Sequence, residues 1–97
     1  MAVSSSFLAK VKLALRVSFN TLDDQITDLI EEAILDLTTT ADIKPFTTET
    51  ADALQTGAVI SYVSYKWFNE EKYFTSYNDM KHKMALSSYY GVVADEE

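Results

Sequence analysis

Residues 52–77 of the 97-residue chain read DALQTGAVISYVSYKWFNEEKYFTSY, and they contain its most apolar segment. It begins as an ordinary amphipathic helix and becomes apolar on almost every side between Ala58 and Phe68. A helix that is apolar all round has to be covered all round. Nine of the twelve aromatic residues lie between Tyr62 and Tyr90, and one small bundle can hardly cover them alone. The pattern therefore favours a partner protein that shares part of this apolar surface.

Length and composition indicate one folded domain. The chain is 47% hydrophobic, carries a net charge of -7 and contains no cysteine. A negative chain lacks the clustered lysines and arginines that bind nucleic-acid phosphates, and the missing cysteines leave no disulfide framework and no thiolate metal site. Residues 1–6 have neither the basic nor the apolar region of a signal peptide. No apolar run approaches the length of a membrane span, so a soluble protein made in the cytoplasm is expected.

The sequence predicts an all-α, four-helix bundle-like domain over residues 1–97, with 1–5 and 92–97 frayed. Glycine and proline are scarce, which favours helices over short strands. The expected helices run from Ser6 to Leu15 or Val17 with an N-cap among Ser4–Ser6, from Leu22 to Leu37, from near Thr48 to Phe68 or Asn69, and from Asp79 to Tyr90. The third helix is expected to be long, with Gly57 marking a close helix crossing.

The connections follow from turn-forming residues. Residues 38–48 form a linker, because Pro45 disfavours a helical conformation at Lys44, and Ile43 and Phe46 are expected to fold back onto the core. Residues 69–77 are expected to form a loop or a frayed helix end, and Gly91 stands where a helix C-cap glycine belongs. Helices two and three should supply most of the core, with helix one packed across them.

The second helix has the clearest pattern. Its apolar residues recur at steps of three and four, as an amphipathic helix requires: Ile26, Leu29, Ile30, Ala33, Ile34 and Leu37. Its acids interleave with this stripe at Asp23, Asp24, Asp28, Glu31, Glu32 and Asp36. Such a face is typical of solvent or a protein interface, and this interpretation is preferred to a Mg²⁺ or acid–base site.

The sequence predicts no catalytic, cofactor-binding or metal-binding residues. His82 stands alone between Lys81 and Lys83, whereas a general base needs a partner and a pocket. With two glycines the chain has no phosphate-binding loop. Lysines do alternate with aromatic residues near the third helix, as in single-strand nucleic-acid platforms, but Glu70, Glu71 and Asp79 cancel much of that charge. An enzyme is therefore not expected.

Charge is divided along the chain. The first twenty residues carry only positive charges, whereas residues 21–54 carry nine acids against one lysine, Lys44. Two interpretations stand side by side. Copies of the subunit could meet head to tail, a contact that closes into a ring when the rotation allows. Alternatively, helix one lies beside helix two within one subunit.

The segments together resemble the head-to-tail connector (adaptor, or head-completion) proteins of long-tailed bacteriophages and prophages. The resemblance is carried by FLAKVKLALRV (7–17), LDDQITDLIEEA (22–33) and an Ala-rich helix that ends in aromatic residues (51–68). It implies a virion protein of the head–tail junction that forms a ring of about a dozen subunits. Such a ring docks onto the portal protein and joins it to the tail or a stopper protein. Double-stranded DNA passes through without specific binding, and no reaction is performed.

This function predicts two groups of interface residues. The charged group is Lys10, Lys12, Arg16, Asp24, Asp28, Glu31 and Glu32. The aromatic group, shared between core and partner contacts, is Tyr65, Trp67, Phe68, Tyr73, Phe74, Tyr77 and Tyr90. The alternative function is a small acidic adaptor or regulator that binds one bacterial protein as a monomer or dimer. A DNA-packaging or regulatory protein that touches DNA directly is a third option, which the charge disfavours.

Overall fold

A computed structural model of the protein describes residues 3–40 and 43–86 and builds them from four helices. These are α1 (Ser5–Leu15), α2 (Asp23–Thr40), α3 (Ala53–Phe68) and α4 (Glu71–Leu86). The predicted all-α class is confirmed over these residues. The predicted length of the third helix is wrong, because α3 has 16 residues, as α4 does, and α2 has 18. Tyr90 and Gly91, with the predicted end of the last helix, lie outside the described residues.

Two side-chain caps determine where α1 and α3 begin. Ser4 accepts a hydrogen bond from the Phe7 backbone N–H, which confirms a serine N-cap for the first helix. For α3 the N-cap is Asp52, which forms a reciprocal capping box with Gln55, so the predicted start near Thr48 is wrong. A capping box satisfies two N–H groups that the start of a helix leaves unpaired. Residues 47–50 instead form a turn held by the Thr47 and Thr50 hydroxyls.

The fourth helix begins at Glu71, eight residues earlier than the sequence predicts. Asn69 ends α3 in the left-handed conformation (φ 58°), and the chain turns directly into α4. The predicted loop at residues 69–77 is thus mostly helix. Local propensity predicts a loop here because Tyr, Phe, Thr, Ser and Asn are modest helix formers. Packing of Tyr77 and Met84 against the core overrides that preference.

Helices α3 and α4 form an antiparallel hairpin with side-chain contacts along its length. The contacts pair Gly57 with Met80, Ser61 with Ser76, Tyr62 with Tyr77, Tyr65 with Phe74, and Phe68 with Tyr73. Gly57 lies opposite the Met80 side chain. A Cβ atom built there would lie 3.1 Å from Met80 Sδ, which confirms the close crossing predicted from this glycine.

Helix α3 is the centre of the fold, because α1, α2 and α4 all pack against it. Ala58, Val59 and Val63 have no solvent exposure. The other buried apolar residues come from α1, α2, α4 and the segment at 43–46: Phe7, Val11, Leu15, Ile26, Ile30, Ala33, Ile34, Leu37, Ile43, Phe46, Tyr77 and Met84. The predicted packing of Ile43 and Phe46 onto the core is confirmed. Up to Val63, therefore, the chain covers its apolar helix without a second protein.

The close crossing gives a stability test. Replacing Gly57 by Leu should lower the free energy of unfolding by about 1–3 kcal/mol, because the larger side chain pushes α4 away from α3. Urea unfolding followed by circular dichroism measures the change. Met80→Ala removes the obstructing side chain, so Gly57→Leu should cost less in that background than in the wild type. An equal cost in both backgrounds would mean that Met80 does not limit the approach.

Candidate protein-interaction site

Four aromatic residues form a cluster where the α3–α4 hairpin turns, and we call this cluster the hairpin tip: Tyr65, Phe68, Tyr73 and Phe74. The Tyr65 and Phe74 ring centroids lie 4.9 Å apart, and those of Phe68 and Tyr73 lie 5.6 Å apart in a stacked arrangement. Each pair joins one ring from α3 to one from α4. Phe68 and Phe74 remain 38% and 36% exposed. The tip therefore combines a fixed ring geometry with accessible apolar surface, as interface anchors do.

Two of the predicted interface aromatics are better described as parts of the core. Tyr77 is 1% exposed and packs edge-to-face on Tyr62, with 5.1 Å between ring centroids. Within the group predicted to be shared between core and partner contacts, Tyr77 thus belongs to the core, because α2 and α3 enclose its ring. Trp67 is half-buried and packs against the core. Tyr90 lies outside the described residues.

The Tyr77 hydroxyl donates a hydrogen bond to Asp36 on α2. Lys81 also reaches Asp36, with Nζ 3.1 Å from the carboxylate, and its ammonium lies 5.4 Å from the Tyr77 ring centroid. These three residues form what we call the Asp36 unit. A buried tyrosine needs a hydrogen-bond partner for its hydroxyl, and the carboxylate supplies one while Lys81 balances its charge.

The same arrangement recurs one turn earlier on α2 and nearer the surface. The Tyr62 hydroxyl donates to Glu32, Lys66 Nζ lies 3.7 Å from that carboxylate, and the ammonium lies 5.6 Å from the Tyr62 ring centroid. We call these residues the Glu32 unit. Glu32 was predicted as an interface residue. It remains exposed, but its carboxylate is used within the subunit.

Spacing explains why both units form. Each tyrosine precedes its lysine by four residues, so the two side chains lie one turn apart on the same face of their helix. The two carboxylates are also four residues apart, so they lie one turn apart on the same face of α2. Neither unit was predicted from the sequence, because the acids of α2 were assigned to solvent or a partner. The detectable signal is the pattern Tyr-x-x-x-Lys, present on two helices, together with Glu32 and Asp36 at the same spacing.

Both tyrosine pKa values are raised in the folded protein. Burial is the main cause at Tyr77, followed by the hydrogen bond to Asp36, and both favour the neutral hydroxyl. Burial also leads at Tyr62, followed by the hydrogen bond to Glu32. The two hydroxyls act as hydrogen-bond donors at neutral pH, and this role ends if either ionises.

The charges of α1 and α2 meet partly within the subunit. Lys12 Nζ lies 2.7 Å from Asp23 Oδ1 and donates to the Asn20 side chain at 2.8 Å. This ion pair supports the interpretation that helix one lies beside helix two. The other predicted charges divide by exposure: Lys10, Arg16, Asp24 and Asp28 are exposed, whereas Glu31 is half-buried. A head-to-tail contact still has these exposed charges of opposite sign available.

The contacts of α2 with the hairpin fix the direction in which α2 runs. Glu32 accepts a hydrogen bond from Tyr62 in the middle of α3, and Asp36 accepts one from Tyr77 on α4 further from the tip, so the first residues of α2 point toward the tip. Lys12 joins α1 to those residues through Asp23. Among the large apolar side chains that the described residues leave exposed, Phe68 and Phe74 lie at the hairpin tip, whereas Leu13 lies on α1 and Phe19 on the connection to α2. The arrangement is suited to docking against another protein.

Other kinds of site find little support among the described residues. His82 is exposed. Residues 3–40 and 43–86 bring no three His, Cys, Asp or Glu side chains together in a way that could hold a metal ion. Within the same ranges, every helix is too short or too polar to cross a membrane. Comparison of the chain with protein-family models, curated proteins and solved structures finds no match.

Tyr77→Phe tests the Asp36 unit. Loss of a hydrogen bond to a charged group should lower the free energy of unfolding by about 1.5–3 kcal/mol, measured by urea unfolding. Tyr62→Phe is the matched control, because it removes the equivalent hydroxyl near the surface and should cost less than about 1 kcal/mol. Equal costs for the two variants would contradict the structural role given to burial at Tyr77.

The raised tyrosine pKa values also predict alkaline sensitivity. The folded state holds the Tyr62 and Tyr77 protons more tightly than the unfolded state does, whose tyrosines titrate near the ordinary value of 10.0. The resulting stability is fully present below that pH and is lost as pH rises above it. Urea unfolding between pH 8 and about 11.5 should show this decline. The double variant Tyr62→Phe/Tyr77→Phe should show a shallower one, and an unchanged slope would contradict the assignment.

Proposed function

We propose that this protein is a structural subunit of a phage head–tail connector. In this role, copies of the subunit form a ring that docks onto the portal protein and links it to the tail or a stopper protein. The observation that carries the proposal is the exposed aromatic surface of the hairpin tip, on a subunit whose core is otherwise covered. The order and character of the first three helices, which resemble the connector family, support the same function.

The hairpin tip is suited to the docking contact. Its four rings are positioned by α3 and α4 together, so the tip has the rigidity of the hairpin and not the freedom of a loop. Aromatic residues held in this way present large apolar area at little cost in side-chain entropy. We assign the hairpin tip to the contact with a neighbouring virion protein, which is the portal, the tail or the stopper protein.

The exposed charges are suited to contacts between neighbouring subunits. Lys10 and Arg16 lie on α1 and its C-cap, and Asp24 and Asp28 lie on the first half of α2. Opposite charges on different surfaces of one subunit favour a heterologous contact, which generates a ring when the geometry closes. A net charge of -7 favours passage of DNA without adhesion, because like charges bring no gain from counterion release.

The decisive experiment follows assembly rather than catalysis. Native mass spectrometry over a concentration series, with and without the portal protein from the same genome, should show complexes of about a dozen subunits, as expected for a closed ring. A protein that stays monomeric and fails to bind the portal would overturn the connector function. A monomer or dimer with one other bacterial partner would instead support the adaptor alternative.

Phe74→Ala and Trp67→Ala should separate docking from folding. Phe74 lies at the tip, so its loss should abolish binding to the portal or tail-side protein and lower the free energy of unfolding by less than about 1 kcal/mol. Trp67 packs against the core but is only half-buried, so Trp67→Ala should lower the free energy of unfolding by about 2 kcal/mol. The loss of a fully buried aromatic side chain would cost more. Binding and urea unfolding are measured on the same preparations. If both variants destabilise the lone subunit equally, this division of roles is wrong.

A further inference from the structure

The outer face of α1 and the loop that follows it form an open groove of about 460 Å³, which we call the α1 groove. On its polar side, Lys12 is already bonded to Asn20 and Asp23. Its apolar lining consists of four side chains, of which Leu13 is 80% exposed: Leu8, Ala9, Leu13 and Val17. The α1 groove is therefore an apolar surface that residues 3–40 and 43–86 leave uncovered.

The outer face of α2 carries an apolar side chain with acids beside it. Leu35 is 61% exposed, and steps of three and four residues place it on the same helix face as Asp28 and Glu31. We call these three residues the α2 ridge. Leu35 lies about 18 Å along α2 from Asp23, which lines the α1 groove, so the ridge does not reach the groove of its own chain. A contact between them needs two copies.

We propose that the α2 ridge of one subunit packs into the α1 groove of a second copy of this chain. The contact rests on the proposed function, because it supplies the heterologous interface from which a ring is built. It combines burial of Leu35 with charge attraction. The charged residues of α1 and its C-cap are all basic, and those of α2 are all acidic.

The charges that this contact uses are not engaged elsewhere in the subunit. Lys10, Arg16 and Asp28 are exposed. None of the ion pairs formed among the described residues includes any of these three. Lys12 differs, because Asp23 of the same chain already pairs with it. The basic side chains beside the groove are thus available to carboxylates of a second copy.

Arg16 occupies a backbone position where glycine is usual. It ends α1 in the left-handed conformation, with a φ of 61°. Helices commonly end in this conformation at glycine, because a side chain is strained there. A strained residue other than glycine indicates that its side chain has a function. A carboxylate from a neighbouring subunit would provide the guanidinium with that function.

Spacing along the two helices sets the register of the contact. Asp28 precedes Leu35 by seven residues, as Ala9 precedes Arg16, and seven residues extend about 10 Å along a helix. When the two helices run antiparallel, Leu35 enters the groove at Ala9 while Asp28 lies opposite Arg16. A parallel arrangement would place Asp28 beyond the start of α1. The charges therefore favour the antiparallel contact.

Cysteines on separate copies test the contact, because the chain has no cysteine of its own. Full-length Ala9→Cys protein is mixed with Leu35→Cys protein in a glutathione redox buffer, with and without the portal protein. The matched control mixes Ala9→Cys with Leu86→Cys, since Leu86 is 75% exposed on α4. Disulfide-linked heterodimers of the first pair should form at least about tenfold faster, because docking raises the effective concentration of the two thiols.

The products distinguish this contact from other arrangements. A disulfide requires Cα atoms within about 7 Å, so faster heterodimer formation than in the control supports the proposal. Equal rates in the two mixtures would overturn it. Homodimers of Ala9→Cys or of Leu35→Cys as the main product would also overturn it, because they would show a two-fold contact between identical faces.

The same mixtures separate failure of the contact from failure of the proposed function. Rings that bind the portal without an excess of heterodimer would overturn the contact and leave the connector function intact. Fast heterodimer formation by a protein that does not bind the portal would support the contact and overturn the connector function.

Exchange of charges between copies tests the register. Arg16→Asp in the Ala9→Cys protein should slow heterodimer formation several-fold, because Asp28 of the second copy then meets a like charge. Aspartate is among the residues that tolerate the left-handed conformation, so circular dichroism should show an intact fold. Adding Asp28→Arg to the Leu35→Cys protein should restore the rate, whereas Asp24→Arg, one turn further from Leu35, should restore less. If neither restores the rate, or both do so equally, the proposed register is wrong.

Discussion

The structure depends on one constraint, which is that α3 is apolar on nearly every side and has to be enclosed. Three helices of the same chain meet this requirement up to Val63, with α1, α2 and α4 all packed against α3. Burial of apolar surface is the main favourable term in folding, so the order of the other helices follows from what α3 needs. Gly57 contributes by allowing α4 to approach closely at Met80. A four-helix arrangement of fewer than 100 residues can thus enclose one central helix.

Polar contacts add specificity to this apolar enclosure. Apolar packing alone allows helices to slide by a turn, whereas a hydrogen bond to a buried hydroxyl favours one register. The Asp36 unit and the Glu32 unit join α2 to the hairpin at two points one turn apart. A shift of α2 by one turn would leave a buried tyrosine hydroxyl or a carboxylate without its partner, which is costly. We infer that the two units set the register of α2, while the apolar core supplies most of the stability.

The sequence predicts the elements that depend on local pattern and misses those that depend on tertiary contacts. The apolar stripe of α2 and the serine N-cap of α1 are local features and were predicted correctly. The crossing at Gly57 is a tertiary contact that was predicted because an isolated glycine inside a helix is a local signal of close packing. The start of α4 was not predicted, because residues 73–78 are modest helix formers that become helical by packing on α3. The predicted start of α3 at Thr48 was wrong for a similar reason. Threonines there suggested a cap, but Asp52 and Gln55 form the better one.

For the candidate site, the sequence located the aromatic end of the chain but could not sort core from surface. Tyr77 and Phe74 look alike in composition and spacing, yet one is enclosed and the other is exposed at the tip. Distinguishing them requires the hairpin register, which depends on all three neighbouring helices. The carboxylates of α2 illustrate the same limit, since Asp36 and Asp24 belong to one acidic pattern but only Asp36 faces a tyrosine of the hairpin.

Native-state hydrogen exchange on the isolated subunit shows whether one chain encloses α3 by itself, because the most protected amides report the elements that open only on global unfolding. If α3 is enclosed within one chain, the amides of residues 58–64 should exchange most slowly, at a free energy equal to that of global unfolding. This protection should be independent of protein concentration. Faster exchange in α3 than in α2, or protection that appears only at concentrations where the protein assembles, would mean that a second subunit completes the core.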